Sequence, residues 1–280
     1  MRLRLIPRIA ARAGLPARRS ARAGLCALLV PISALSTVFA LFAAPVSAGG
    51  AAAALSGLDF SPHAAGARLH PGAAHGLKFA TSTNWAGYAA HSTKYTSVTA
   101  TWREPGASCG SSTAYASFWT GLDGYASSSV EQTGTLVLCS GGRATQYAWY
   151  EMYPASPVYF NNTVAAGDTI VSRVTSTSSG AFSLYLADTT RGWSHTINQT
   201  NSSLARSSAE VIAEAPSSSS GVLPLANFGT VTFTSSKVNG GSLGASNPTS
   251  ITMVTSSGTT KASVSGISGG TSFSSTWHHA

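Results

Sequence analysis

Charge is scarce in this chain: only 9% of its 280 residues are Asp, Glu, Lys or Arg, against about 25% in an ordinary soluble domain. Nine carboxylates are all it has for acid–base work. A disordered chain couples high net charge to few aromatics, and 25 aromatic residues argue against that class. Collagen-like repetition is absent. Three cysteines, no C-x-x-C pair and no His/Cys cluster at ligand spacing leave no metal site to expect, and no cofactor motif is present. Sustained helical periodicity is nearly missing too.

The formal charge of +8 suggests nucleic acid until its distribution is read. Seven of the 17 basic residues fall between Arg2 and Arg22, and from residue 81 onward eight bases face eight acids. Without a basic patch no nucleic-acid partner is expected. The Arg-rich start is followed by an uncharged apolar run, about Ala23 to Ala44, and then Pro45-Val46-Ser47-Ala48. A positive region, an apolar region and a small-residue site predict a signal peptide over 1–48, cut after Ala48, and a secreted, extracellular protein. The competing reading is an uncleaved membrane anchor; with cleavage, no membrane partner remains. Residues 49–80, Ala/Gly-rich with three histidines, form a pro-segment or linker. Cys26 leaves with the leader, so Cys109 and Cys139 are expected to pair as one disulfide.

Beyond Thr81 the chain turns rich in Ser, Thr, Val, Tyr and Trp. Short alternating runs recur at 97–102, 114–121, 134–138, 145–153, 169–175, 181–187, 229–234, 250–255 and 262–265, bounded by Gly, Ser, Pro or Asn. Many short strands without intervening helices predict an all-β fold, a large antiparallel β-sandwich over 81–280. Residues 207–216 are ambiguous. Ser207 and Glu210 could cap a short helix, whereas a strand would place Glu210, Ile212 and Glu214 on one face and Ala209, Val211 and Ala213 on the other.

Period-two geometry selects candidate site residues. Trp119, Gly121 and Asp123 share one strand face; so do Trp149, Glu151 and Tyr153. Gln132 shares its face with Val130 and Gly134, while Glu131 points away. Aromatics interleaved with carboxyl and amide groups suit a cleft, because a buried carboxylate needs partners. Aromatics packing a sandwich rim beside solvated acids would give the same pattern.

Seven fragments then carry a resemblance: T-N-W-A-G-Y (83–88), F-W-T-G-L-D-G (118–124), V-E-Q-T-G (130–134), A-W-Y-E-M-Y-P (148–154), A-G-D-T-I (166–170), A-E-V-I-A-E (209–214) and F-G-T-V-T-F (228–233). Their order and spacing resemble the glutamic peptidases, the eqolisins, over about 82–278. The resemblance implies two seven-stranded antiparallel sheets and an endopeptidase, active in acid, on unfolded polypeptide. It implies Gln132 and Glu214 (rather than Glu210) as the catalytic pair, Trp119, Asp123, Trp149, Glu151 and Tyr153 as substrate-binding residues, and residues 209–214 as a strand. Glu131, Tyr147 and Met152 depart from the family pattern and leave the pair intact. The chemistry is coherent: a glutamate can take a proton from water and pass it to the leaving amine, and a neutral amide can hold an oxyanion at any pH. Action as a monomer is expected.

Three rival functions fit parts of the chain. A carbohydrate-binding sandwich would use Trp119 and Trp149 as stacking platforms, and a jelly-roll glycosidase would pair Glu151 with Glu214. Gly106-Ala107-Ser108-Cys109-Gly110 satisfies G-x-S-x-G, but that motif needs a strand–turn–helix elbow and nothing helical follows.

Overall fold

Burial sorts the strands into two kinds. In Thr169–Ser176, Trp193–Thr200 and Thr230–Val238 burial alternates or nearly so along the strand, as expected of strands with one covered face. In Trp85–Ala90, Val130–Ser140 and Ala209–Glu214 almost every residue is buried, so both faces are covered. These observations come from a computed structural model, which describes residues 55–62, 65–66, 78–177, 179–201 and 205–280. The expected leader, 1–48, and much of 49–80 lie outside the described residues.

Fourteen principal strands carry the fold: β1 (Lys78–Ser82), β2 (Trp85–Ala90), β3 (Ser97–Arg103), β4 (Ala114–Leu122), β5 (Val130–Ser140), β6 (Arg143–Tyr153), β7 (Thr169–Ser176), β8 (Ala181–Asp188), β9 (Trp193–Thr200), β10 (Ala209–Glu214), β11 (Thr230–Val238), β12 (Thr249–Val254), β13 (Thr260–Val264) and β14 (Phe273–Trp277). A front sheet runs β6–β5–β4–β10–β2–β12, antiparallel throughout, with β1 added parallel to β12. A back sheet runs β9–β8–β7–β3–β11–β14–β13, all antiparallel. The β12–β13 pairing joins the two at one edge. The all-β sandwich expected from the sequence is what forms, and residues 209–214 are strand despite their local helix propensity. Among the described residues no helix is long and apolar enough to cross a membrane.

Two apolar layers follow. Trp102, Phe118, Val174, Phe182, Val211 and Phe233 fill the space between the sheets. On the outer side of the front sheet Trp85, Trp119, Leu136, Trp149 and Ile212 pack with Leu58 and Phe60 of the upstream segment. Each such side chain withdrawn from water contributes about 1.5–3 kcal/mol. Gly134 lets β5 approach β4 under that outer layer: a Cβ there would fall 2.1 Å from the Phe118 carbonyl oxygen. The Cys109–Cys139 disulfide, Cα atoms 5.3 Å apart, ties the loop before β4 to the end of β5. Closing such a loop stabilises the fold by about 3 kcal/mol.

The interior also holds carboxyls without cations. Glu104 accepts hydrogen bonds from Trp102 Nε1 (3.1 Å) and Thr135 Oγ1 (2.6 Å). Burial pushes its pKa up to about 8, against the pull of those two bonds. Glu131 is pushed to about 9, by burial first and then by the charge of Asp123. Ion pairs among the described residues involve one cation, Arg191, which meets Asp168 and Asp188.

The sign of the pH dependence follows. An unfolded Glu titrates near ~4.3, so between there and pH 8–9 the folded chain holds protons that the unfolded chain releases. Stability contributed by these groups is fully present below the unfolded value and falls as pH rises, by up to about 1.4 kcal/mol per pH unit per group. Thermal melts should give a higher Tm at about pH 4 than at about pH 8, and Glu104→Gln should flatten the difference. A Tm that climbs with pH across this range contradicts the assignment.

Candidate active site

Strand parity places Gln132, Glu214, Trp119, Trp149, Glu151 and Tyr153 on the outer face of the front sheet. Cross-strand register aligns Glu151, Gln132, Gly121 and Glu210 in one row across β6, β5, β4 and β10. Glu214 lies four residues further along β10, opposite Ser117 on β4 and Trp85 on β2. Register alone would therefore pair Gln132 with Glu210. Contacts select differently, because what the side chains touch is the segment that crosses the face above them.

That segment is Leu58–Pro62. The Gln132 amide nitrogen donates to the Phe60 carbonyl oxygen (2.6 Å) and to Glu151 Oε2 (2.6 Å). Two acceptors on one nitrogen fix which way the amide points. Glu151 Oε1 in turn receives the Phe60 backbone N–H at 3.4 Å. The Phe60 ring lies on Trp149, centroids 3.7 Å apart and planes 9° from parallel. One residue on, the Ser61 carbonyl accepts from Trp85 Nε1 (3.1 Å) and Asn84 Nδ2 (3.3 Å). Asn84 Nδ2 also reaches Glu214 Oε1 (3.4 Å), whose other oxygen accepts from Trp119 Nε1 (2.8 Å). Gln132 and Glu214 thus end on consecutive residues of the same stretch, Gln132 directly and Glu214 through Asn84.

Of the residues expected at the site, Gln132, Glu214, Trp119, Trp149 and Glu151 come together, all fully buried, and none packs a solvated rim. Tyr153 stands half-buried at the margin of the outer layer. Asp123 does not join them. The chain turns into the left-handed region at this residue (φ 69°), and its carboxylate instead receives Arg206 N and Ser207 N, each at 2.6 Å. Strand periodicity missed this because the strand ends at Leu122. Asn84 and Trp85 were overlooked as site residues although they lie in T-N-W-A-G-Y; an amide and an indole N–H side by side were the available signal. Ser108, the serine of the G-x-S-x-G match, lies in a bridge with Asn227 beside the disulfide rather than at an elbow. His91 and His195 are engaged by Thr249 and Asn162.

Two carboxyls in a water-poor pocket perturb one another. Burial is the main cause that raises Glu214 well above its ordinary pKa, and the charge of Glu151 adds to it; hydrogen bonds from Trp119 and Asn84 pull the other way. Burial likewise pushes Glu151 to about 9, against the pull of its bonds to Phe60 and Gln132. Ionising either makes ionising the other harder, so the pair retains a proton.

Aspergillopepsin-2 of Aspergillus niger is 32% identical over 184 residues, 57% of this chain and 65% of that protein. Scytalidopepsin B of Scytalidium lignicola is 34% identical over 192 residues, 65% of this chain and 70% of that protein. The chain thus spans about two thirds of the length of these curated relatives. Among solved structures, a scytalido-glutamic peptidase with a transition state analog inhibitor aligns over 70% of this chain and 98% of that one, with TM-score 0.62 and 30% identity. The model of the Peptidase A4 family matches residues 83–277, which contain both Gln132 and Glu214. By that match and by its sandwich, the chain belongs to the Peptidase A4 family, the glutamic peptidases or eqolisins.

Proposed function

We propose that this chain is a secreted, acid-acting endopeptidase in which Glu214 is the general base and acid and Gln132 the oxyanion donor. Supporting the secreted part are the leader-like 1–48 and the pro-segment-like 49–80. The observation that carries the catalytic assignment is the Gln132 amide donating at 2.6 Å to a peptide carbonyl, that of Phe60. An amide so placed stabilises the negative charge that grows on a carbonyl oxygen as water adds to it. Membership of the Peptidase A4 family supports the same reading.

In the proposed cycle an extended polypeptide lies across the front sheet with its scissile carbonyl at Gln132. The ionised form of Glu214, a minority in acid because burial raises its pKa, accepts a proton from the attacking water. The tetrahedral oxyanion rests on Gln132 Nε2, and Glu214 then returns the proton to the leaving nitrogen. Asn84 and Trp119 orient the Glu214 carboxyl through the bonds already described. Glu151 keeps Gln132 aimed. Trp149 and Tyr153 flank the peptide. Acid conditions suit the chain on two counts. The protonated interior carboxyls favour the fold at low pH, and little stability rests on ion pairs that acid would break.

Digestion of denatured protein at about pH 3–4, below or near the ordinary Glu value, should be lost with Glu214→Gln by about 10²–10⁴-fold. Gln132→Ala should cost about 10²–10³-fold. Full activity in either variant overturns the role given to that residue. Glu151, held protonated up to about pH 9, carries no charge in acid, so Glu151→Gln should leave the acid limb of the kcat/KM profile where it is. A limb that moves contradicts that protonation state.

A further inference from the structure

The outer face of the front sheet is covered by the chain itself, in a pose that has the features of a substrate. Leu58 and Phe60 are almost wholly withdrawn from solvent. Asp59 and Ser217 exchange both backbone hydrogen bonds, N to O in each direction at 2.9 Å, the pairing of a peptide added to a sheet edge. The next three carbonyls are each held by a side-chain donor: Phe60 by Gln132, Ser61 by Trp85 and Asn84, Pro62 by Asn84. Ser61 Oγ lies 3.0 Å from Ser217 Oγ. Only the Phe60 carbonyl meets the proposed oxyanion donor, and the residue after it is the one beside the Asn84–Glu214 pair.

We propose that Phe60–Ser61 is a bond this chain cleaves in itself, and that the cleft takes polypeptides presenting an aromatic residue at the carbonyl held by Gln132. The inference rests on the peptidase reading above and adds to it a bond and a side-chain class. Specificity comes from Trp149, whose indole face stacks on the Phe60 ring; aromatic pairs of this kind add to the burial they already supply. A charged side chain at the same position would lose that stacking and be stranded among apolar groups beside Glu151.

The step balances without a co-reactant. The water oxygen bonds to the Phe60 carbonyl carbon, and the bond from that carbon to Ser61 nitrogen breaks. One water proton passes through Glu214 to the Ser61 nitrogen, and the hydroxyl remains on the new Phe60 carboxyl group. After the cut, the Asp59–Ser217 pairing and the Trp149 stack hold a fragment that ends at Phe60 and is no longer covalently tied to the sandwich, so it can dissociate and open the face to other chains.

The test uses the full chain and one peptide. Wild type and Glu214→Gln are incubated at about pH 4, near the ordinary Glu value, and new N-termini are mapped by mass spectrometry. In parallel, a ten-residue peptide of the sequence 56–65 is offered to the wild-type protein, with a second version carrying Asp in place of Phe. The expected result is a Ser61 N-terminus in wild type and none in Glu214→Gln, with the peptide cut between Phe and Ser and its Asp version cut at least tenfold more slowly. A wild-type chain that digests denatured protein yet is not cut at Phe60–Ser61, or an Asp peptide cut as fast as the Phe peptide, overturns this inference while the peptidase reading stands. A wild-type chain that digests no protein at all removes the peptidase reading, and this inference with it.

Discussion

A sheet that is apolar on both faces has to be covered twice, and most of what is distinctive in this molecule follows from the second cover. The back sheet covers one face of the front sheet, setting Trp102 and Phe233 in the same core as Phe118 and Val211. The other face carries Trp85, Trp119, Trp149 and Ile212, together with an amide and three carboxyls that open water would otherwise solvate. Leu58 and Phe60 close it. The apolar cover excludes water from the polar groups, and exclusion makes the Gln132–Phe60 hydrogen bond strong and its loss expensive. Packing and chemistry are here the same set of contacts.

Dryness also sets the charge. Glu151 and Glu214 sit close enough for each to hinder the other's ionisation, with no cation among the contacts described to relieve them. The fold's interior repeats the pattern at Glu104 and Glu131. Several of its few carboxylates are buried, and the folded state holds their protons more tightly than the unfolded chain does. Sparse charge, noted first as a deficiency of the sequence, becomes a property of the folded state.

Much of this was legible beforehand where period two held. Trp119, Gln132, Trp149 and Glu151 were assigned to their faces by alternation alone, and the structure keeps them there. Residues 209–214 were not decidable from propensity, since Glu and Ala favour helix; strand pairing on both sides with β2 and β4 overrides it. Alternation could not place Asp123, because it was carried one residue past the end of β4 into a turn where Arg206 N and Ser207 N hold the carboxylate. β9, where Ser194, Thr196 and Asn198 alternate with His195, Ile197 and Gln199, escaped notice because its covered face is only half-buried and its composition is polar. The role of Phe60 was beyond reach, since an isolated aromatic in an Ala/Gly-rich stretch has no periodicity to betray a partner 89 residues away in Trp149.

The central claim is that Gln132 polarises a peptide carbonyl lying in this cleft, and the carbon-13 shift of that carbonyl reports it directly. The chain is labelled at the Phe60 carbonyl in a Glu214→Gln background, which removes the proposed base. A strong donor draws electron density toward the oxygen, so the signal should lie downfield and move upfield when Gln132→Ala is added. A signal that does not respond to Gln132→Ala contradicts the account.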